Sequence, residues 1–274
     1  MIKILDGHHT MDGAGVKLFR VFSNDTVEIT DPFLLLDHFG SDNPSDYIKG
    51  FPWHPHRGIE TVTYMNKGYV EHGDNIGNKG VINPGDIQWM SAGSGIIHQE
   101  MPKGAQGMDG FQLWVNMPSA KKMIDPKYRG IEKNDVKTVK KDGMEVKVIA
   151  GEYGPIKGPV TDLIIDVIYL DVSLSKNKAF NYKPKKGYTT LCYVVSGDGM
   201  FLSEKIIRNK LGVFRDIDKL SVVSNDALRF LLISGKPLKE KIAWGGPIVM
   251  NTNEELHEAF KELDEGTFIK YKSK

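Results

Sequence analysis

Apolar and polar residues alternate over short stretches along most of this chain, and turn-forming residues separate those stretches. In ETVTYM, Val62 and Tyr64 alternate with Thr61 and Thr63, the period-two pattern of a strand with unlike faces. TVEIT sets Val27 and Ile29 against Thr26, Glu28 and Thr30, and predicts another half-buried strand. DPFLLLDHFG (31–40) is an apolar run closed by turn residues, and SDNPSD (41–46) reads as a loop. KGYVEHGDNIGNKGVINPGD reads as strands joined by glycine-rich turns, with a β-turn at NPGD (83–86). IQWM then leads through SAGSG into IIHQEMP, and FQLWVNMP (111–118) is a further strand.

Residues 119–160 are more polar: SAKKMIDPKYRG fits a short helix or a loop, and EVKVIAGEYG a strand. LIIDVIYLDVSL (163–174), YTTLCYVVSGDGMFL, KLGVFRDIDKLSVV and ALRFLLISGKPL follow, all strand-like and punctuated by Gly and Asp. So many short strands predict an all-β fold, sandwich or barrel. The halves echo one another, ETVTYMNKGYVEH…VINPGDIQWMSA answering YTTLCYVVSGDGMFL…VVSNDALRFLLIS, which suggests two barrels of like design. The chain closes on a helix pattern. Thr252 and Glu255 form a capping box, Leu256, Ala259, Phe260 and Leu263 form one apolar stripe, and Gly266 supplies the stop. His257 lies off that stripe and is expected in solvent.

Candidate chemistry concentrates between Phe51 and Pro102. His54 and His56, and His98 and Glu100, are two pairs spaced i, i+2. On extended strands each pair points to one side, its Cα atoms roughly 6.5 Å apart. Two such strands facing each other would bring three imidazoles and one carboxylate to a common point. That set suits a divalent transition metal better than Mg²⁺ or Ca²⁺. With no Cys ligands and room for further ligands it reads as catalytic rather than structural zinc. Pro55, between the first two histidines, cannot donate to a ladder and predicts an edge strand or a bulge there. No histidine occurs between His98 and His257, so a second barrel would lack a histidine-based site.

Other residues carry less. Gly13 and Gly15 do not open a dinucleotide fingerprint, because Leu18 stands where the third glycine belongs. Ser94 lacks nucleophile-elbow spacing. His8, His9, His38 and His72 have no partner at ligand spacing. Cys192, in an apolar strand, reads as a buried, inert thiol. Trp53, Met90, Phe111 and Trp114 read as core, some lining a cavity above the metal, whereas Lys121-Lys122 and Lys185-Lys186 read as solvated loop charges.

Composition narrows the class of protein. At 274 residues the chain can form one large domain or two ordinary ones, and 40% hydrophobic residues suffice for a core. Lys+Arg 36 against Asp+Glu 35 leaves a net charge of +1, which gives no global field for nucleic acid or an anionic membrane. Apolar runs stay far below the ~20 residues of a bilayer span. The N-terminal sequence argues against secretion, and the single cysteine fits a reducing compartment.

HPHRGIETVTY, GDIQWMSAGSGIIHQEMP, FQLWVNMP and PIVMNTNEELHEAF together resemble the pirin family of the cupin superfamily. The resemblance implies a bicupin: two stacked antiparallel β-barrels of jelly-roll type with a C-terminal helix. A barrel over residues 1–130 would hold one metal, and residues 131–274 would form a second barrel without one, its terminal helix packing back. The implied ligands are His54, His56, His98 and Glu100, and the implied metal is iron(II), with Mn, Ni, Co, Cu or Zn as alternatives. Cupins in general place a carboxylate ligand where Glu60 stands. Glu60 therefore either orients a ligand or substitutes for Glu100, which shares its strand with a histidine ligand.

The implied activity is that of a quercetin 2,3-dioxygenase. Such an enzyme opens the central ring of a flavonol-like substrate with O₂ and releases carbon monoxide, with Glu100 as the base. The alternative that the family implies is an iron-binding, redox-responsive regulatory module that acts through protein partners as a transcriptional cofactor. The expected protein is a cytoplasmic monomer, nuclear as well in a eukaryotic cell, that binds neither nucleic acid nor membrane directly.

Overall fold

The protein is described by a computed structural model covering residues 2–271. It divides into two compact units, neither a continuous stretch of chain. The first joins residues 9–20, 33–133 and the C-terminal segment from Leu238; the second joins residues up to His8, Val21–Pro32 and Asn134–Pro237. The sequence expectation divides the chain once, after residue 130. The exchange arises because the N-terminal strand Ile2–Asp6 completes a sheet of the second unit, pairing Ile2 with Phe214 and Asp6 with Lys210. Conversely, the segment after Leu238, with the helix Asn253–Asp264, belongs to the first unit.

Each unit holds one seven-stranded and one four-stranded sheet. In the first, the large sheet runs Lys127–Ile131, Ile87–Ser91, Ile59–Lys67, Met108–Asn116, Phe33–Ser41, Val16–Phe22, His8–Asp12. The small sheet runs Phe51–His56, Ile96–Lys103, Tyr69–Asp74, Lys79–Ile82. Val16, Leu18, Phe39 and Met65 from the large sheet bury against Val70 and Ile82 of the small one. The two sheets are separate layers, so the unit is a jelly-roll sandwich rather than a ring of strands closed on itself.

The second unit repeats this order. Its small sheet runs Ala179–Tyr182, Leu220–Ser224, Asp198–Phe201, Glu204–Ile207. By sheet position Ala179–Tyr182 stands where Phe51–His56 stands in the first unit, and Leu220–Ser224 where Ile96–Lys103 stands. These strands carry Phe180, Tyr182, Leu220 and Val222 into one apolar core with Phe201, Phe214, Phe230 and Cys192. Apolar side chains, aromatic on one strand and aliphatic on the other, fill the place that the first unit gives to histidines. The sheet order also re-aligns the sequence echo: the counterpart of Ile87–Ser91 is Lys210–Phe214, not the strand Leu228–Gly235.

Two local expectations are corrected. TVEIT is not a strand but a short helical turn, Asn24–Thr26 followed by Val27–Thr30. Thr30 Oγ1 donates back to Thr26 O at 3.1 Å and Asp31 N to Val27 O at 2.9 Å, so local bonds outcompete a ladder. Lys122 is not solvated: it is 1% exposed. The capping box is formed, Glu255 N donating to Thr252 Oγ1 at 3.2 Å and Thr252 N to Glu255 Oε2 at 3.1 Å. No helix among the described residues is long and apolar enough to cross a membrane.

Candidate metal centre

Phe51–His56 is an edge strand of the small sheet, the position where Pro55 and Pro52 leave no donor missing from a ladder. It pairs antiparallel with Ile96–Lys103, His98 opposite His54 and Ile96 opposite His56. Directly opposed residues point to the same face, so all three histidines project together. The register then slips between His98 and Glu100, which lies opposite Phe51; Pro55 itself pairs in register with Ile97, so of the two expectations for it the edge strand holds and a bulge at that residue does not.

The three rings converge, with centroids 4.4 Å apart for His54–His98, 4.8 Å for His54–His56 and 5.0 Å for His56–His98. His54 Nε2 lies 3.0 Å from both His56 Nε2 and His98 Nε2. The other ring nitrogen is engaged in two of the three: His54 Nδ1 donates to Pro52 O at 2.8 Å and His56 Nδ1 to Pro247 O at 3.2 Å. Those bonds place the protons on Nδ1 and leave Nε2 lone pairs facing each other, an arrangement that a cation would satisfy. At a metal–nitrogen bond of about 2.1 Å, two ligands at right angles lie about 3.0 Å apart, so the donor set fits a transition metal. Burial lowers the basicity of His54, and pushes His56 and His98 well below the usual imidazole range, with mutual repulsion among the rings adding to it. Neutral imidazole is the form that binds metal.

Glu100 shares the face of His98 but stands outside the three-histidine group. Its Oε1 lies 2.8 Å from Thr63 Oγ1, which is also 2.6 Å from Gln112 Oε1, and its Oε2 lies 3.5 Å from Gln112 Nε2. One hydroxyl proton cannot serve two acceptors, so Thr63 Oγ1 donates to Glu100 Oε1 or to Gln112 Oε1 at any one time. Burial pushes the Glu100 carboxyl up to about 7, against the Thr63 hydrogen bond.

Glu60 faces away. It alternates with Thr61 and Thr63 along its strand, so it points to the opposite face of the sheet from the Thr63–Glu100 contact. There Ser91 Oγ donates to its Oε1 at 2.5 Å, and Arg129 Nη1 donates to Ser91 Oγ at 3.1 Å. Neither role that the sequence leaves open for Glu60, ligand or ligand-orienting group, matches that placement.

The structure adds residues that spacing alone misses. His72 lies across the strand pair from Glu100, on its face, and its Nε2 is 2.8 Å from Tyr128 Oη. The pairing is between strands, so an i, i+2 search cannot find it; the alternation of Val70, His72 and Asp74 was the available signal. Trp114 packs edge-on against His56, ring centroids 5.2 Å apart, as a lining residue. Trp53, expected in the core, is 54% exposed, because it alternates with His54 and so faces outward. Met90 and Phe111 are buried as expected, and so is Cys192, whose thiol burial pushes well up.

The family model for pirin matches residues 15–115 and that for the pirin C-terminal cupin domain matches residues 169–269. The chain belongs to the pirin family. A pirin-like protein of Caulobacter vibrioides is 42% identical over 98% of this chain and 98% of its own, and the pirin of Homo sapiens is 39% identical over 92% and 88%. The crystal structure of a quercetin 2,3-dioxygenase from Acinetobacter baumannii is 34% identical, covers 98% of each chain and superposes with a TM-score of 0.91. This pirin thus has the bicupin fold, with a potential metal site of three histidines in one unit.

Proposed function

We propose that this pirin is a metal-dependent oxygenase of the quercetin 2,3-dioxygenase type, with iron(II) as its metal and a flavonol-like aromatic substrate. The observation that carries the reading is the convergence of three neutral imidazoles, with a buried, protonatable carboxyl two residues beyond His98 on the same face of its strand. Similarity to the Acinetobacter enzyme along the whole chain supports the reaction class.

Held by His54, His56 and His98, with Glu100 as fourth ligand, a divalent metal supplies Lewis acidity toward a substrate oxygen and redox chemistry toward O₂. The carbonyls of Pro52 and Pro247 keep the His54 and His56 Nε2 atoms unprotonated. Glu100, whose carboxyl loses its proton near neutral pH, accepts the proton of the flavonol 3-hydroxyl. Thr63 and Gln112 hold that carboxyl in place. Trp114, half-buried beside His56 with its buried indole N–H lacking a partner among the described residues, offers a flat wall and a donor to an aromatic substrate.

The test is anaerobic loading with iron(II), then admission of O₂ with quercetin while the flavonol absorbance is followed. Decay well above that of His56→Ala is expected, and Glu100→Gln should keep much of its metal yet lose turnover. A second reading is a redox-responsive module acting on protein partners, for which the exposed Trp53 indole next to His54 offers a single contact. Flavonol decay no faster than in His56→Ala would decide for it.

A further inference from the structure

Two basic side chains are buried beside the metal-ligand strand, and neither has a part in the chemistry above. Arg57 follows His56 and is 2% exposed. Its Nε donates to Ser94 O and its Nη2 to Phe268 O, each at 2.8 Å, and it pairs with Glu262 at 2.7 Å. The guanidinium also stacks over Phe268, 4.1 Å from the ring centroid. Lys122 spends all three donors on Gly58 O at 2.7 Å, Asn116 Oδ1 at 2.7 Å and Val249 O at 2.9 Å.

These bonds share a geometry. Residues 56–58 are bound along one side by residues 247–249: His56 Nδ1 to Pro247 O, an isolated parallel bridge of Arg57 with Ile248, and Val249 N to Arg57 O at 3.1 Å. The approach is so close at Gly58 that a Cβ there would lie 2.1 Å from Val249 O. Arg57 extends the grip to the loop that opens the His98 strand, through Ser94, and to the end of the C-terminal helix, through Glu262 and Phe268. A buried ion pair such as Arg57–Glu262 is often no better for stability than an apolar replacement, and burial lowers the Lys122 ammonium to about 7, so neither side chain is a good device for stability. The planar guanidinium of Arg57, bonded at several points, and the three donors of Lys122 are good devices for fixing geometry.

We propose that two points of the C-terminal segment, Pro247 and the pair Glu262 and Phe268, form a positioning clamp for the metal centre, in which Pro247 sets the orientation of His56 and the Arg57–Glu262–Phe268 contact holds it there. The proposal rests on the reading of the three histidines as a metal site. Arg57 and Glu262 are positioning residues that act through His56 and His98, and the contacts reach across 191 residues from His56 to Pro247 and 211 from Arg57 to Phe268.

The experiment uses the full chain and cobalt(II) as the probe, with affinity measured by chelator competition and ligand geometry by the visible absorption of bound cobalt. Glu262→Gln and Arg57→Lys are compared with Thr252→Ala, which weakens the same helix at its cap without touching the clamp. Circular dichroism and thermal unfolding of the metal-free proteins establish that each is folded. Glu262→Gln and Arg57→Lys should lose affinity by about 10- to 100-fold and shift the cobalt spectrum, as disturbed ligand orientation does, while Thr252→Ala matches the wild type in both. Wild-type affinity and spectrum in both clamp variants, or an equal loss in Thr252→Ala, would overturn the clamp. Absence of cobalt binding by the wild type would instead overturn the metal-site reading beneath it.

Discussion

Metal binding should expel the proton that Glu100 holds, and the structure sets how many protons appear. The Glu100 side chain is 6% exposed and its carboxyl is pushed up to about 7 by burial. At about pH 6 it therefore holds about 0.9 of a proton, and at about pH 8 about 0.1. The imidazoles contribute little over this range, since His56 and His98 are already depressed well below 6.5. Calorimetric titration of the metal-free protein with cobalt(II), repeated in buffers of different ionisation enthalpy, counts the protons released. Release should approach one near pH 6, fall toward zero near pH 8, and be close to zero at both in Glu100→Gln. Equal release from wild type and Glu100→Gln near pH 6 would refute both the shifted carboxyl and its conversion to a charged ligand.

The same shift has a stability consequence without metal. A carboxyl raised from 4.5 to about 7 stabilises the fold fully below about pH 4.5, and that contribution is lost as pH rises through 7, up to about 3 kcal/mol. The depressed histidines act oppositely, their contribution being present above 6.5 and lost as pH falls. Denaturant unfolding of metal-free wild type and Glu100→Gln across this range isolates the Glu100 part as their difference.

Further outcomes follow from packing and capping. His98→Ala, which removes the Nε2 3.0 Å from that of His54, should lose bound cobalt while its far-ultraviolet circular dichroism stays that of the wild type. Phe230→Ala, fully buried with ring centroids 5.2 and 5.5 Å from Phe201 and Phe180, should cost about 3–5 kcal/mol in urea unfolding yet leave metal content unchanged. Thr252→Ala should cost about 1 kcal/mol by the same assay, through loss of the bond that Glu255 N donates.

The sequence by itself determined what depends on neighbours a few residues apart. Alternation placed Val62 and Tyr64 opposite Thr61 and Thr63, Thr252 and Glu255 announced the capping box, and two i, i+2 pairs placed His54 with His56 and His98 with Glu100. The same local reasoning failed where a distant partner intervened. Lys122 looks like loop charge until Gly58 and Val249 surround it, and His72 looks isolated until Glu100 and Tyr128 come alongside. Val27 and Ile29 alternate like a strand, but five residues carry too little pattern to resist the back-bonding of Thr30. Only the tertiary structure decided that Glu60 turns away from the histidines, that the N-terminal strand joins the second unit, and that Pro247 holds His56. Periodicity is a property of one segment, whereas orientation, burial and ligand geometry are properties of pairs of segments that the fold alone brings together.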